Sequence, residues 1–278
     1  MFGSLKALPA DPILGLLAKY REDANPQKID LGVGVYKDEA GHTAILNCVK
    51  KAEKYRHDNE DTKVYIGPTG SPLFNDEMSK LIFGSHKVLI ENRARTVSTP
   101  GGTGALRVAA EFIKSCKAGA TIWVSNPTWA NHTGLFQAAG LNVKTYPYYD
   151  YENHSLDFDG MLNTLKQVKP DDVVLLHACC HNPSGMDLTV EQWQQIVEVT
   201  KDVGFTPLID MAYQGFGTGL DDDAYGLRLM ADAVDEMIVC TSCSKNFGLY
   251  RERIGACTVV AKSSLSADIS LSVLLHGV

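Results

Sequence analysis

The sequence predicts an α/β fold with a mostly parallel, doubly wound sheet, and three observations support this. From residue 96 onward, short apolar runs alternate with segments of helical periodicity. The runs are rich in Val and Ile and are continuous, as in strands that are buried on both faces. Their order along the chain is strand, helix, strand, helix, which is typical of a parallel sheet covered by helices on both sides.

The individual elements follow from this pattern in chain order. Residues 103–117 and 189–203 are predicted helices, because each places apolar side chains at helical spacing on one side. Thr189 followed by Gln192 is a capping box at the start of the second helix. A further, charged helix is predicted near residues 44–60, after a segment interrupted by prolines. The predicted strands are residues 121–124, 173–178, 207–209, 237–240 and 256–261.

Composition excludes several classes of function. The chain has 278 residues, 45% of them hydrophobic, and a formal net charge of −7, which argues against a nucleic-acid-binding protein that relies on basic patches. No apolar stretch is long enough to span a membrane, and the N-terminus lacks a targeting pattern. Seven cysteines without framework spacing indicate a reducing compartment, so a cytoplasmic location is expected.

Polar side chains follow four of the predicted strands at the point where each strand ends. In an open parallel sheet, ligands bind at the carboxyl ends of the strands. We therefore expect the residues that follow these strands to meet at one edge of the sheet. They are Trp129, Asn182, Asp210, Tyr213, Ser242, Ser244 and Lys245.

A glycine turn, TPGGTGALR at residues 99–107, opens the first predicted helix. Free backbone N–H groups at a helix N-terminus bind anions, and Ser242, Ser244 and Arg253 would add donors to the same anion. The turn lacks the spacing of dinucleotide-binding and ATP-binding motifs. An ordinary tight turn is the alternative reading of the glycines alone.

Two cysteine patterns suggest other chemistry, but neither has support elsewhere in the sequence. In HACCH, His177, Cys179 and His181 would share one face of a strand and could bind a metal, yet no second ligand cluster accompanies them. Cys240 and Cys243 have C-x-x-C spacing, but Cys240 belongs to an apolar strand. No metal site is predicted.

Together these residues predict a pyridoxal phosphate site. Lys245 would attack the coenzyme aldehyde, which requires a neutral amine and hence a lowered lysine pKa. Asp210 would keep the pyridine nitrogen protonated, so that the ring accepts electrons from the substrate. Asn182 and Tyr213 would donate hydrogen bonds to the phenolic oxygen, and Trp129 would cover the ring face.

Several long motifs resemble class I aminotransferases, specifically the aspartate aminotransferase group. They are TPGGTGALR, WVSNPTWANH, CCHNPSG, DMAYQGF and SCSKNFGLYRERIGA, with DPILGL, LGVGVYKDE and YIGPTGSP in the N-terminal part. The resemblance runs from residue 1 to about residue 261. It implies the pyridoxal-phosphate-dependent transferase fold of type I, amino acid and 2-oxo acid substrates, and a homodimer.

The resemblance also implies a role for each matching residue. Lys245 is the coenzyme lysine and the proton shuttle, and His132 and His177 support Asp210 from behind. Tyr65 reaches the phosphate bound by the partner subunit, and Gly34, Trp129 and Asn182 contact the substrate. The phosphate is held by Gly102, Thr103, Ser242, Ser244 and Arg253.

The resemblance predicts two domains, and this sequence departs from the family at its C-terminal end. Residues 1–43 are expected to form an N-terminal arm with part of a small domain, and residues 44–278 the large coenzyme-binding domain. The family supplies two further arginines for substrate carboxylates, whereas no arginine follows Arg253 here. We therefore expect the C-terminal small domain to be absent and turnover by this chain alone to be weak.

Three functional readings follow. The first is transamination between aspartate or glutamate and 2-oxo acids. The second is an aromatic or mixed substrate preference, because related aminotransferases share the same motifs. The third is a catalytically impaired fragment that binds coenzyme without both carboxylate arginines.

Overall fold

A computed structural model describes residue 3, residues 12–29 and residues 34–276 of the chain. The chain divides into two compact units, Met1–Ile45 and Leu46–Val278. Helix α1 (Pro12–Glu22) belongs to the first unit. In that unit, residues 31–33 of the LGVGVYKDE motif lie outside the described residues, as does the first residue of DPILGL.

The second unit contains nine described strands. They are β1 (Ala94–Pro100), β2 (Thr121–Asn126), β3 (Asn142–Pro147), β4 (Tyr149–Asp150), β5 (Ser155–Leu156), β6 (Val173–His177), β7 (Thr206–Met211), β8 (Met237–Ser242) and β9 (Ile254–Val260). Seven form the main sheet in the order β1-β9-β8-β7-β6-β2-β3, while β4 and β5 pair separately. Strands β3, β2, β6, β7 and β8 are parallel, and β9 is antiparallel to both β8 and β1.

Helices cover both faces of the main sheet. Those of the second unit are α2 (Asn47–Asn59), α3 (Pro72–Phe83), α4 (Lys87–Ile90), α5 (Gly101–Cys116), α6 (Asn131–Ala138), α7 (Phe158–Leu165), α8 (Val190–Val203), α9 (Tyr225–Ala233) and α10 (Ser264–His276). Among the residues that the structure describes, no helix is long and apolar enough to cross a membrane.

Alternation along the central strands divides the core into two layers. In β6, Val174 and Leu176 pack with buried residues of α3, α7, α8 and α9. Val173 and Leu175 point to the opposite face and pack with residues of α5, α6 and α10. Burial on both faces explains why this strand has a continuous apolar sequence. The doubly wound, mostly parallel sheet is the one that the sequence predicts.

The start and end of helix α8 follow from its sequence. The Thr189 hydroxyl accepts a hydrogen bond from the Gln192 amide at 3.2 Å, and the Gln192 side chain accepts one from the Thr189 amide at 2.9 Å. The helix stops at Gly204, which adopts a φ of 83°. Both signals are local, so the capping box and the helix end are readable without tertiary information.

Several elements differ from the sequence prediction. Strands β1 and β3 were not predicted, because both are edge strands with polar residues on their partly exposed faces. Helix α10 was missed as well, since its apolar residues are spread around the helix rather than confined to one side. Strand β8 extends to Ser242, and β7 extends to Met211.

The predicted common strand face for His177, Cys179 and His181 is wrong. Strand β6 ends at His177, and Cys180 adopts a positive φ of 49°, which turns the chain away from the strand direction. The three side chains therefore lie on a loop after the strand.

Candidate active site

The carboxyl ends of β6, β7 and β8 lie side by side and carry the central residues of the site. His177 at the end of β6 is the register partner of Asp210 in β7, and Asp210 is the partner of Cys240 in β8. Lys245 follows three residues after the end of β8. The register of the parallel strands therefore places the lysine loop beside the aspartate, as the sequence predicts.

Lys245 lies in an environment that favours its neutral amine. Its Nζ atom is 4.7 Å from the centroid of the Tyr213 ring. Burial lowers the pKa of Lys245, and the nearby charge of Arg253 lowers it further, while Asp210 acts in the opposite direction. The net lowering increases the fraction of unprotonated amine, which is the nucleophilic form.

Asp210 is held as a charged carboxylate by a buried histidine. Its Oδ2 atom lies 3.2 Å from Nε2 of the fully buried His132, whose Nδ1 atom lies 2.8 Å from the Thr128 hydroxyl. Burial by itself raises the pKa of Asp210, but the hydrogen bond with His132 and the electrostatic interactions with His132, His177 and Lys245 outweigh it. The pKa of Asp210 is lowered, so the carboxylate keeps its charge.

His177 has a fixed tautomer. Its Nδ1 atom accepts a hydrogen bond from the backbone N–H of Asn182 at 3.2 Å, so the neutral ring carries its proton on Nε2. Among the described residues, that buried Nε2 atom has no hydrogen-bond partner. Burial lowers the pKa of His177 to about 4, against a raising effect of Asp210 and with a further lowering by His132.

The nitrogen and oxygen atoms of His132, His177 and Asp210 lie within 4.8 Å of one another, a spacing that could suggest a metal site. A metal on Nε2 of His177 would force the ring proton onto Nδ1, against the N–H of Asn182. The hydrogen bonding therefore disfavours a metal. The charged carboxylate of Asp210 instead fits a site completed by a bound cationic ring.

The second histidine of HACCH belongs to a column of stacked rings. The His181 ring lies 4.3 Å from that of His177 and 3.9 Å from that of Tyr148, measured between centroids. Its two nitrogens contact the hydroxyls of Ser125 at 2.9 Å and Ser184 at 2.7 Å. Burial, followed by the charges of His177 and His132, lowers the pKa of His181 to about 3. HACCH therefore builds a neutral aromatic support behind Asp210.

These lowered histidine pKa values predict an acid-sensitive apoprotein. The unfolded chain takes up protons near about pH 6.5, where the folded His177 does not. The free energy of unfolding is therefore highest above about pH 6.5 and decreases as the pH falls towards about 4. The decrease is up to about 1.4 kcal/mol per pH unit for each buried histidine. Urea unfolding of the apoprotein at about pH 8 and about pH 5 would measure this loss.

The His177→Asn variant should show a smaller loss of stability between these two pH values. His57→Asn, which changes an exposed residue of α2, is the matched control and should behave like the unmodified chain. The same pH dependence in His177→Asn and in the unmodified chain would contradict the assignment.

An anion cradle lies between the N-terminus of α5 and the loop after β8. Arg253 Nη1 donates to the Ser244 hydroxyl at 3.2 Å, and the Ser244 amide donates to the Ser242 hydroxyl at 3.2 Å. A Cβ atom on Gly101, whose φ is 75°, would lie 2.5 Å from Nη2 of Arg253, and one on Gly102 would lie 3.1 Å from Cβ of Ser242. The glycines therefore allow helix amides, hydroxyls and a guanidinium to face one small volume, which fits a phosphate group.

Four further predicted residues of the second unit lie around this centre. Burial raises the pKa of Tyr213, as does the charge of Asp210, while a hydrogen bond with Asn182 lowers it. The Trp129 ring meets the His132 ring edge-on, at 5.3 Å between centroids. Thr103 lies in the first turn of α5, next to Gly102. Asn182, Tyr213 and Trp129 are thus assembled around the Asp210 and Lys245 pair.

Two predicted site residues, Tyr65 and Gly34, keep their roles only as predictions. Tyr65 is fully exposed, and its contact with a partner's phosphate stays a prediction. Gly34 belongs to the first unit and is also exposed, so its contact with substrate stays a prediction as well.

Sequence reasoning missed two residues that hold the site in place. Thr128 contacts Nδ1 of His132, and the Asp187 carboxylate accepts hydrogen bonds from the amides of Cys180 at 2.7 Å and His181 at 2.8 Å. This pair of bonds fixes the turn that leads into Asn182. The sequence alone gives no sign of this role for Asp187, because its carboxylate bonds to backbone amides, which every residue type carries.

Comparisons with known proteins agree with this geometry. The sequence profile of the family "Aminotransferase class I and II" matches residues 26–273. The chain is 54% identical over 273 residues to an aspartate aminotransferase of Escherichia coli (strain K12), covering 98% of this chain and 69% of that protein. It is 50% identical over 264 residues to an aromatic-amino-acid aminotransferase of Pseudomonas aeruginosa, covering 95% and 66%.

A solved structure gives the same answer for the fold. It is an aromatic-amino-acid aminotransferase from Burkholderia pseudomallei, described as covalently bound to pyridoxal phosphate. The TM-score is 0.97 at 40% sequence identity, over 100% of this chain and 70% of that one.

The fold and the cradle beside Asp210 and Lys245 define a pyridoxal-phosphate-dependent transferase of fold type I. The chain belongs to the class I and II aminotransferase family, in its aspartate aminotransferase group. Its coenzyme is pyridoxal 5′-phosphate, and its activity is that of an aminotransferase. The fold class and the coenzyme predicted from the sequence are confirmed.

Proposed function

We propose that this aminotransferase moves the amino group of L-aspartate or L-glutamate to 2-oxo acids such as 2-oxoglutarate and oxaloacetate. The observation that carries the proposal is the placement of Lys245, Asp210 and the Arg253 cradle on one sheet edge. The similarity to the Escherichia coli aspartate aminotransferase supports the choice of substrates.

The coenzyme ring, when bound, supplies an electron sink for the carbanion that forms at the substrate α-carbon. In our proposal, the N-terminus of α5, with Gly102 and Thr103, holds the phosphate together with Ser242, Ser244 and Arg253. The Asp210 carboxylate keeps the pyridine nitrogen protonated, and His132 in turn keeps Asp210 charged. Asn182 and Tyr213 donate to the phenolic oxygen, and Trp129 covers one ring face.

Lys245 acts as the proton carrier in this proposal. With the coenzyme bound, its Nζ atom would take up the proton that leaves the substrate α-carbon and release it again to complete the transfer. A base for this transfer works best when its pKa lies near the operating pH, and burial lowers the pKa of Lys245 in that direction.

Tyr65 enters the proposal as a residue that serves a second copy of the chain. Val64, Tyr65 and Ile66 are all exposed, and three consecutive apolar or aromatic side chains in water are unfavourable. In a homodimer, Tyr65 would contact the phosphate held by the partner subunit. Sedimentation equilibrium should then give twice the monomer mass, whereas a monomer at all concentrations would exclude this role.

A second candidate is a preference for aromatic amino acids. It is favoured by the 50% identity to the Pseudomonas aeruginosa enzyme and by the fold similarity to aromatic-amino-acid aminotransferases. The residues around Lys245 serve the coenzyme and the reacting carbon, which both substrate classes share.

Steady-state assays with 2-oxoglutarate as acceptor separate the two candidates. We expect kcat/KM for aspartate to exceed that for phenylalanine by about tenfold or more, which corresponds to about 1.4 kcal/mol of differential transition-state binding. A higher kcat/KM for phenylalanine than for aspartate would contradict the proposed aspartate preference and favour aromatic amino acids as the substrates. Coenzyme binding without turnover of either substrate would support an impaired, coenzyme-binding chain.

A further inference from the structure

The loop that carries Tyr213 is rich in glycine and largely exposed, so its own sequence does not fix the position of the tyrosine. This loop, residues 212–221, follows β7 and contains three glycines, Gly215, Gly217 and Gly219. Gly215, Phe216, Gly217 and Thr218 are exposed. Such a glycine-rich segment has a high conformational entropy when free, so its shape must be imposed by contacts with other residues.

The buried carboxylate of Asp223 makes these contacts. Its Oδ2 atom accepts hydrogen bonds from the amides of Gly215 at 2.7 Å and Gly217 at 3.0 Å. Its Oδ1 atom accepts from the Thr218 amide at 2.8 Å and from the Thr218 hydroxyl at 3.3 Å. Burial tends to raise the pKa of Asp223, but amides of this loop lower it overall, so the anion is the bound form.

The amides that bond to Asp223 begin two residues after Tyr213, at Gly215. The Phe216 amide donates to the Tyr213 carbonyl at 3.0 Å, which closes a turn that contains Gly215 and is followed by Gly217, the two residues whose amides bond to Oδ2 of Asp223. On the other side, Gln214 is buried and donates to the carbonyls of Leu81 and Leu220, both at 2.9 Å. Tyr213 therefore lies between two fixed points, the end of β7 and the set of hydrogen bonds from loop residues 215–218 to Asp223, which we call the Asp223 clamp.

We propose that Asp223 is a positioning residue for transamination, which holds the Tyr213 hydroxyl where it donates to the phenolic oxygen of the coenzyme. This inference rests on the proposed role of Tyr213. Asp223 bonds to the loop rather than to Tyr213 itself, so its effect on the reaction passes through the backbone of residues 215–218. The loop amides prefer a charged, two-oxygen acceptor, which neither asparagine nor alanine supplies.

The test is the pH dependence of the visible absorbance of the reconstituted holoenzyme. A hydrogen bond donated to a deprotonated oxygen lowers the pKa of the group that carries it. Tyr213→Phe should therefore raise the pKa of the absorbance change by about one to two units. Asp223→Asn should raise it in the same direction by about half a unit or more. If Asp223 acts through Tyr213, the double variant that combines Tyr213→Phe with Asp223→Asn should show the same absorbance pKa as Tyr213→Phe alone.

Gly217→Ala disturbs the same clamp from the exposed side of the loop. A Cβ atom there would lie 2.5 Å from Oδ1 of Asp223, so this variant should shift the pKa as Asp223→Asn does, and it carries the test if Asp223→Asn does not fold. The matched control is Asp172→Asn, which alters another buried carboxylate, bonded to Nε1 of Trp123 at 2.9 Å. It should leave the absorbance pKa unchanged.

The outcomes separate this inference from the proposed function. An unmodified chain that gives no coenzyme absorbance would overturn the proposed function and this inference with it. A shift in Tyr213→Phe without a shift in Asp223→Asn and Gly217→Ala would overturn the inference alone. Fully additive shifts in the double variant would also overturn it, because Asp223 would then act independently of Tyr213.

Discussion

Lys245→Ala should lower kcat for transamination by at least about 10⁴-fold, because it removes both the nucleophilic amine and the proton carrier. Lys245→Arg should be similarly inactive, since a guanidinium retains the positive charge but does not release its proton at neutral pH. A coupled assay with aspartate and 2-oxoglutarate measures both variants. Comparison with the arginine variant separates loss of charge from loss of a titratable amine.

Lys201→Ala is the matched control for this substitution. Lys201 is an exposed residue of α8 that pairs with Glu198 three residues earlier, so its loss should change the rate by less than about twofold. A Lys245→Ala enzyme that kept more than about a tenth of the unmodified rate would refute the assignment of Lys245.

Asp210→Asn is expected to have the second largest effect, a fall in kcat/KM of about 10³-fold. The amide keeps the shape of the side chain but carries no charge to hold a proton on the pyridine nitrogen. Asp210→Glu keeps the charge and should retain more activity than Asp210→Asn. A displaced carboxylate still stabilises the protonated pyridine nitrogen, whereas a neutral amide does not.

The control for Asp210→Asn is again Asp172→Asn, a change of the same chemistry in a buried position bonded to Trp123. Far-ultraviolet circular dichroism checks that each variant is folded. If Asp210→Asn and Asp172→Asn had equal kcat/KM values, the carboxylate of Asp210 would have no part in the reaction.

The sequence predicts the centre of this site because parallel strands end at one edge. Asp210 and Lys245 each follow a continuous apolar run, so their meeting follows from the fold class alone. Arg253 is also predicted as a donor to the bound anion, although no periodicity brings it to the α5 N-terminus. The structure shows how it gets there, because Arg253 lies in the loop before β9 and meets Ser244 at 3.2 Å.

Other features depend on contacts that no local pattern records. Thr128, Asp187 and Asp223 act through hydrogen bonds to a ring nitrogen or to backbone amides, and those partners are close only in the folded chain. The same holds for HACCH, whose spacing suggests a metal until the turn at Cys180 stacks His181 on His177. Helix α10 lacks a one-sided apolar stripe, so its pattern gave no signal.

Borohydride reduction of the holoenzyme, followed by peptide mapping, tests the central claim most directly. The reductant converts a carbon–nitrogen double bond between coenzyme and lysine into a stable amine, which marks the attached residue. We predict one labelled peptide that contains Lys245, with no label in Lys245→Ala. Label on another lysine, or none in a protein that retains its coenzyme absorbance, would contradict the account.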